Sequence, residues 1–100
     1  MSDASIYMPI GELLMREAMR AFEIRSLKGR SRSAIEARWA LMLVMSRNLC
    51  WSSTRIGRRL GMNHSTVKHG IKQAQDLYGQ ANYFAEAVDH LAGFTAGSPA

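Results

Sequence analysis

The chain has 100 residues, 47% of them apolar, which is enough for one hydrophobic core and too little for a second domain. Its densest apolar stretch, Trp39 to Met45, is bounded by Arg38 and Arg47 and falls far short of the ~18 residues of a membrane helix. The net charge is +5, the one cysteine, Cys50, has no internal disulfide partner, and Met1 to Ala4 does not begin a basic and then apolar leader; a reducing, cytoplasmic setting is expected.

In chain order, residues 1–9 show no pattern and are expected to be loose. Pro9 suits the first turn of a helix. Ile10, Leu14, Ala18, Ala21 and Phe22 then recur at helical spacing, with Glu12 in the first turn and Arg20 near the end, as the helix dipole prefers. This predicts a helix over about 10–24. Ser26 to Ser33 reads S-L-K-G-R-S-R-S, an exposed basic loop. Ser33 with Glu36 three residues on makes a capping-box pattern, so the next helix is expected over about 34–48. It is apolar nearly all round, from Ile35 and Trp39 through Met45, which marks the central buried helix of a bundle or a dimer face.

Ser52 and Ser53 are cap candidates for a short helix ending at Gly61. A further helix is predicted from His64 to Tyr78, with Gly79 as its stop, and Asn82 is a candidate cap for a last helix carrying Phe84, Ala85, Val88, Leu91 and Ala92. Residues 93–100 are small and read as a flexible tail. The sum is an all-α domain over 10–92, a compact bundle of about five helices, with no strand pattern and no repeat.

The charge is unevenly spread. Between Arg25 and Lys72 stand eleven Lys or Arg residues and one acid, Glu36, a surplus of ten positive charges; the remaining acids lie toward the two ends. A solvated helix face mixes both signs, whereas a single-sign field of this density attracts polyanions.

Within that stretch, Ser53 to Lys72 reads S-T-R-I-G-R-R-L-G-M-N-H-S-T-V-K-H-G-I-K. A helix-turn-helix needs a small residue where the first helix is crossed closely, supplied by Gly57, and a turn residue tolerant of positive φ, supplied by Gly61. Ile56, Leu60, Met62, Val67 and Ile71 have the spacing to face the crossing. That leaves Asn63, His64, Ser65, Thr66, Lys68, His69 and Lys72 exposed on the second helix, short and medium polar side chains where a recognition helix touches base edges in the major groove. Arg55, Arg58, Arg59, Lys68 and Lys72 are expected to add affinity independent of base sequence.

The segment I-G-R-R-L-G-M-N-H-S-T-V-K-H, residues 56–69, resembles the signature of the C-terminal DNA-binding domain of the bacterial replication initiator DnaA, I-G-x-x-F-G-G-R-D-H-[ST]-T-V-x-x-[AC]. Gly29 to Trp39, G-R-S-R-S-A-I-E-A-R-W, resembles that family's basic loop and the start of its long helix, and the likeness covers about residues 10–77 without any nucleotide-hydrolysing domain. The resemblance implies that Arg30 enters the minor groove, with Arg32 as its basic neighbour, and that Arg38 lies near phosphates. It implies that Ser53 and Thr54 offer backbone amides to phosphate, and that Asn63, His64 and Ser65, followed by Thr66, read bases. This sequence departs from the pattern in a turn one residue shorter, in Asn63 where the family has aspartate, and in Glu36 and Ala37 where it has arginine and proline. Asparagine favours adenine N6 and N7, whereas aspartate accepts from cytosine N4.

The expected partner is therefore double-stranded DNA, in transcription or replication control, with a protein partner or homodimer as further possibilities. A rival reading is a protein-interaction module on the same fold, working through its acidic end helices and Met-rich middle; another is an RNA or single-strand reader, for which the aromatic platform is lacking. The methionines and Trp39 and Trp51 read as core, and Cys50 as buried. His64 and His69, five apart, do not share a helix face, so no metal, cofactor or small-molecule substrate is expected, and the absence of any acid from Ala37 to Gln75 argues against an enzyme.

Overall fold

A computed structural model describes residues 8–96. It holds five helices: α1 (Ile10–Ala21), α2 (Arg32–Arg47), α3 (Ser53–Leu60), α4 (His64–Gln80) and α5 (Asn82–Gly93). Among the described residues there is no strand, and no helix is long and apolar enough to cross a membrane.

The helix read as apolar all round is the central one. α2 packs against each of the other four helices and buries Ala37, Ala40, Leu41, Val44 and Met45 completely. Leu14 and Ala18 meet it from α1, Ile56 from α3, Val67 and Ala74 from α4, and Phe84, Val88 and Leu91 from α5, forming one core. Small residues permit the closest approach. Gly70 of α4 lies so near α2 that a Cβ there would stand 2.2 Å from the Met42 sulfur and 3.2 Å from Trp39. Met42 and Met45 are buried and Met15, Met19 and Met62 pack half-buried around the same core, as gap-filling thioethers do.

The helix ends differ from the sequence expectations for identifiable reasons. α1 stops at Ala21 rather than 24 because Glu23 turns left-handed (φ 56°) and the Ile24 amide returns to the Met19 carbonyl at 2.9 Å. The cap of α2 is Ser31, not Ser33: its hydroxyl accepts from the Ala34 amide at 3.1 Å, so the helix begins at Arg32. Glu36 therefore makes no capping box. It is buried, and accepts from Arg32 Nε at 2.6 Å and from the Tyr83 hydroxyl of α5 at 2.9 and 3.0 Å.

α4 runs through Gly79 to Gln80, because the residues around the glycine (Leu77, Tyr78 and Ala81) pack on the core and outweigh its weak helix propensity. Tyr78 adds a hydrogen bond to Asp89 at 2.8 Å, with the Arg47 guanidinium 5.3 Å over its ring. A single extended residue, Ala81, separates α4 from α5, so Asn82 is the first residue of α5 and not its cap. Packing continues past Gly93: Phe94 lies against the core and Thr95 is buried, its hydroxyl donating to the Ala92 carbonyl at 2.6 Å, so the expected tail begins later than 93. The expectations for residues 1–7 and 97–100 lie outside the described residues. Cys50 is exposed rather than buried, held left-handed (φ 57°) where the chain leaves α2.

Candidate nucleic-acid interface

The α3–α4 unit is built by local rules. Ser52 caps α3 by accepting from the Arg55 amide at 3.1 Å. Gly61 ends α3 left-handed (φ 74°), a conformation that favours glycine. The Met62 amide then donates to the Gly57 carbonyl at 2.8 Å, which folds the turn back onto α3. Gly57 is small for the turn's sake: a Cβ there would stand 2.3 Å from the Met62 carbonyl oxygen. The sequence reading placed the close contact between the two helices, but the tight neighbour is the turn backbone. Ile56 and Val67 are fully buried at the crossing, with Leu60, Met62 and Ile71 half-buried beside them.

Asn63 caps α4. Its Oδ1 accepts from the Thr66 amide at 2.9 Å, so the carbonyl oxygen expected to read a base is engaged in holding the helix start. His64, Ser65, Thr66, Lys68, His69 and Lys72 are all exposed; Ser65, Lys68, His69 and Lys72 lie opposite the buried stripe of Val67, Gly70 and Ala74, and His64 and Thr66 flank it. His64, Ser65, Lys68 and Lys72 follow one another along a single face at i, i+1, i+4 and i+8. Thr54 and Arg58, one turn apart on α3, line a groove with Gly61, Met62, Asn63 and His64. Ser53 and Thr54 open α3, and their backbone amides precede the first capped amide, that of Arg55, so they are available to an anion.

The basic loop lies alongside. Lys28, Gly29, Arg30 and Arg38 line a second groove whose other wall is Leu60, Gly61 and Met62. The loop and the turn before α4 therefore share one concave surface. Arg30 is exposed and has no carboxylate partner among the described residues. Arg38 has a task that the resemblance does not imply. One of its terminal nitrogens, Nη1, donates to the Leu27 carbonyl at 2.5 Å and the Gly29 carbonyl at 2.8 Å, clasping the loop that carries Arg30. Arg32 is paired with Glu36 and lies 5.8 Å over the Trp39 indole, with its side chain still largely exposed. The hydrogen bond to Glu36 raises its pKa further, so it stays charged.

Comparison with protein-family models, curated proteins and solved structures finds no match to this chain.

Sequence reasoning brought the α3–α4 residues and the basic loop to one surface and missed the clasp by Arg38, the Glu36–Tyr83 bond and the role of Gly70. An isolated glycine inside a helical pattern does signal close packing, and Gly70 carried that signal. The side-chain bonds of Arg38 and Tyr83, made across 9 to 47 residues of sequence, leave no local pattern.

Proposed function

We propose that this chain is a sequence-preferring double-stranded DNA-binding protein. In this reading α3, the turn at 61–63 and α4 form a helix-turn-helix, α4 enters the major groove, and loop 28–32 works at the adjacent minor groove or on phosphates. The observation that carries it is the continuity of the surface. The exposed start of α4 (His64, Ser65, Lys68) and the loop cation Arg30 flank the same short turn, and the sole acid from Arg25 to Lys72, Glu36, is buried and paired with Arg32.

The division of labour follows from chemistry. Arg58, Lys68 and Lys72 supply charge that any duplex attracts, while His64, Ser65 and the Asn63 amide nitrogen can distinguish base edges. The resemblance to the initiator's DNA-binding domain supports the same reading and adds replication control to transcription control as a role. Its base-reading aspartate is replaced by Asn63 in a shortened turn, so the preferred site differs from the initiator's.

The test is selection of bound duplexes from a random pool at near-physiological salt, followed by sequencing. An enriched motif is expected, and its symmetry reports whether one copy or two binds. Binding that fades with salt and enriches nothing would instead support the rival reading, a protein-interaction module on this fold; the large exposed side chain of Tyr83, 57% accessible on α5, is the place to look for its partner.

A further inference from the structure

A cleft of about 410 Å³ lies between the start of α1 and α3, on the far side of Arg58 from Asn63 and His64. Its walls carry Arg55, Arg58 and Arg59 from α3, Trp51 just before it, and Gly11 and Glu12 from α1. Three guanidinium groups face one carboxylate, so the cleft is electropositive by two charges. The groups are also ordered. The Arg55 guanidinium lies 4.1 Å over the Trp51 ring, a cation–π contact that holds it at the cleft wall. A Cβ at Gly11 would stand 3.0 Å from the Trp51 ring and 3.2 Å from Arg59 Nε, so only a residue as small as glycine leaves both side chains where they are. Arg59 is held by Glu12 at 3.2 Å, in a pair whose acid is 54% accessible.

We propose that this cleft holds one backbone phosphate of the bound duplex, and that Glu12 occupies Arg59 in its place when DNA is absent. This rests on the DNA-binding reading above and extends it to a face outside the turn and the basic loop. Arg58 is the reason to choose a DNA phosphate over any other anion. It lines both this cleft and the groove formed by Thr54, Asn63 and His64, so a strand that meets the start of α4 and crosses Arg58 enters the cleft. A phosphodiester fits the donors, because a planar guanidinium offers paired N–H groups to two oxygens of one phosphate. Glu12 then acts as a brake: each binding event must break its pair with Arg59, and the exposed carboxylate is free to swing into solvent.

The test uses the full chain and the duplex it binds most tightly. Glu12→Gln removes the competitor and is expected to raise affinity about two- to fivefold, the equivalent of one exposed ion pair. The double variant Arg55→Ala/Arg59→Ala is expected to flatten the dependence of log affinity on log salt by about 0.9, or about 3.5-fold less loss between 50 and 200 mM salt. Methylphosphonate placed at successive positions should reveal one phosphate whose neutralisation weakens the wild type and leaves the double variant unchanged. Circular dichroism checks that both variants keep their helices, and Glu12→Gln, altering an exposed side chain, keeps the question open to decision if the double variant unfolds.

An unchanged affinity in Glu12→Gln with identical methylphosphonate profiles would overturn the cleft assignment while leaving the DNA reading intact. A wild type that ignores duplexes even at low salt would defeat both. The occupant is checked in a Trp39→Phe background, where Trp51 is the sole tryptophan. If cytidine monophosphate altered its fluorescence equally with and without saturating duplex, the cleft would be open in the complex and the proposal would fail.

Discussion

At the scale of single residues, Asn63 is, in the proposed reading, one side chain divided between fold and recognition. Its oxygen caps α4, so Asn63→Ala removes a cap and is expected to cost about 1 kcal/mol of stability, seen as a lower midpoint in urea. That loss would blur any effect on base reading. Asn63→Asp caps equally well and exchanges a donor nitrogen for an acceptor oxygen. It should keep the urea midpoint and move the selected motif at one position from a base that offers an acceptor to the amide nitrogen toward cytosine, whose N4 donates; an unchanged motif would remove Asn63 from the reading surface. Tyr83 offers a second test. Its hydroxyl donates to Glu36, and that bond, with burial and the carboxylate's charge, raises its pKa above the ordinary tyrosine value of 10.0. A raised folded-state value means that the contribution is complete below pH 10 and lost as pH climbs through the raised value. Tyr83→Phe should therefore be less stable than the wild type at neutral pH, and the gap should close at alkaline pH. Denaturant midpoints measured across that range check it.

At the scale of elements, the two buried glycines of the α3–α4 unit predict unequal costs. At Gly57 a methyl group would meet the Met62 carbonyl oxygen at 2.3 Å, and backbone cannot move without undoing the turn. At Gly70 it would meet the end of the Met42 side chain, which can rotate, and the edge of Trp39 at 3.2 Å, which need give only slightly. Gly57→Ala is expected to cost about 3 kcal/mol and Gly70→Ala about 1 kcal/mol. Thermal unfolding ranks them, and equal costs would mean that the turn is looser than drawn. The same contrast explains what was legible in the sequence. The five helices, the central burial of α2 and the crossing of Ile56 with Val67 follow from periodicity and glycine placement, which are local. Helix ends were less legible where several serines compete: Ser31 and Ser33 are equally good caps in isolation, and Glu36, which would complete a box with Ser33, is engaged instead by Arg32 and by Tyr83, 47 residues away. The exposure of the polar residues on α4 was legible in the sequence, while the bonds from Arg38 Nη1 to two loop carbonyls are announced by no sequence pattern.

At the scale of the whole molecule, the proposed DNA-binding surface requires that two segments distant in sequence keep a fixed relation. Loop 28–30 and the turn at 61–62 face each other across one groove, and Arg38, rooted in α2, ties the loop to the central helix. Arg30 and Arg38 should therefore respond differently to removal. Arg30→Ala deletes a charge on the surface. It should weaken binding to every duplex and flatten the salt dependence by about 0.9 if it touches one phosphate, with little change in stability. Arg38→Ala deletes a clasp. Losing charge-assisted bonds to two carbonyls should cost about 2 kcal/mol and speed amide exchange across the loop. Affinity should fall because the loop must be ordered on binding, yet the salt slope should stay near that of the wild type, since the guanidinium faces protein carbonyls and not phosphates. A slope that flattened as much for Arg38→Ala as for Arg30→Ala, with loop exchange unchanged, would return Arg38 to the phosphate role implied by the resemblance.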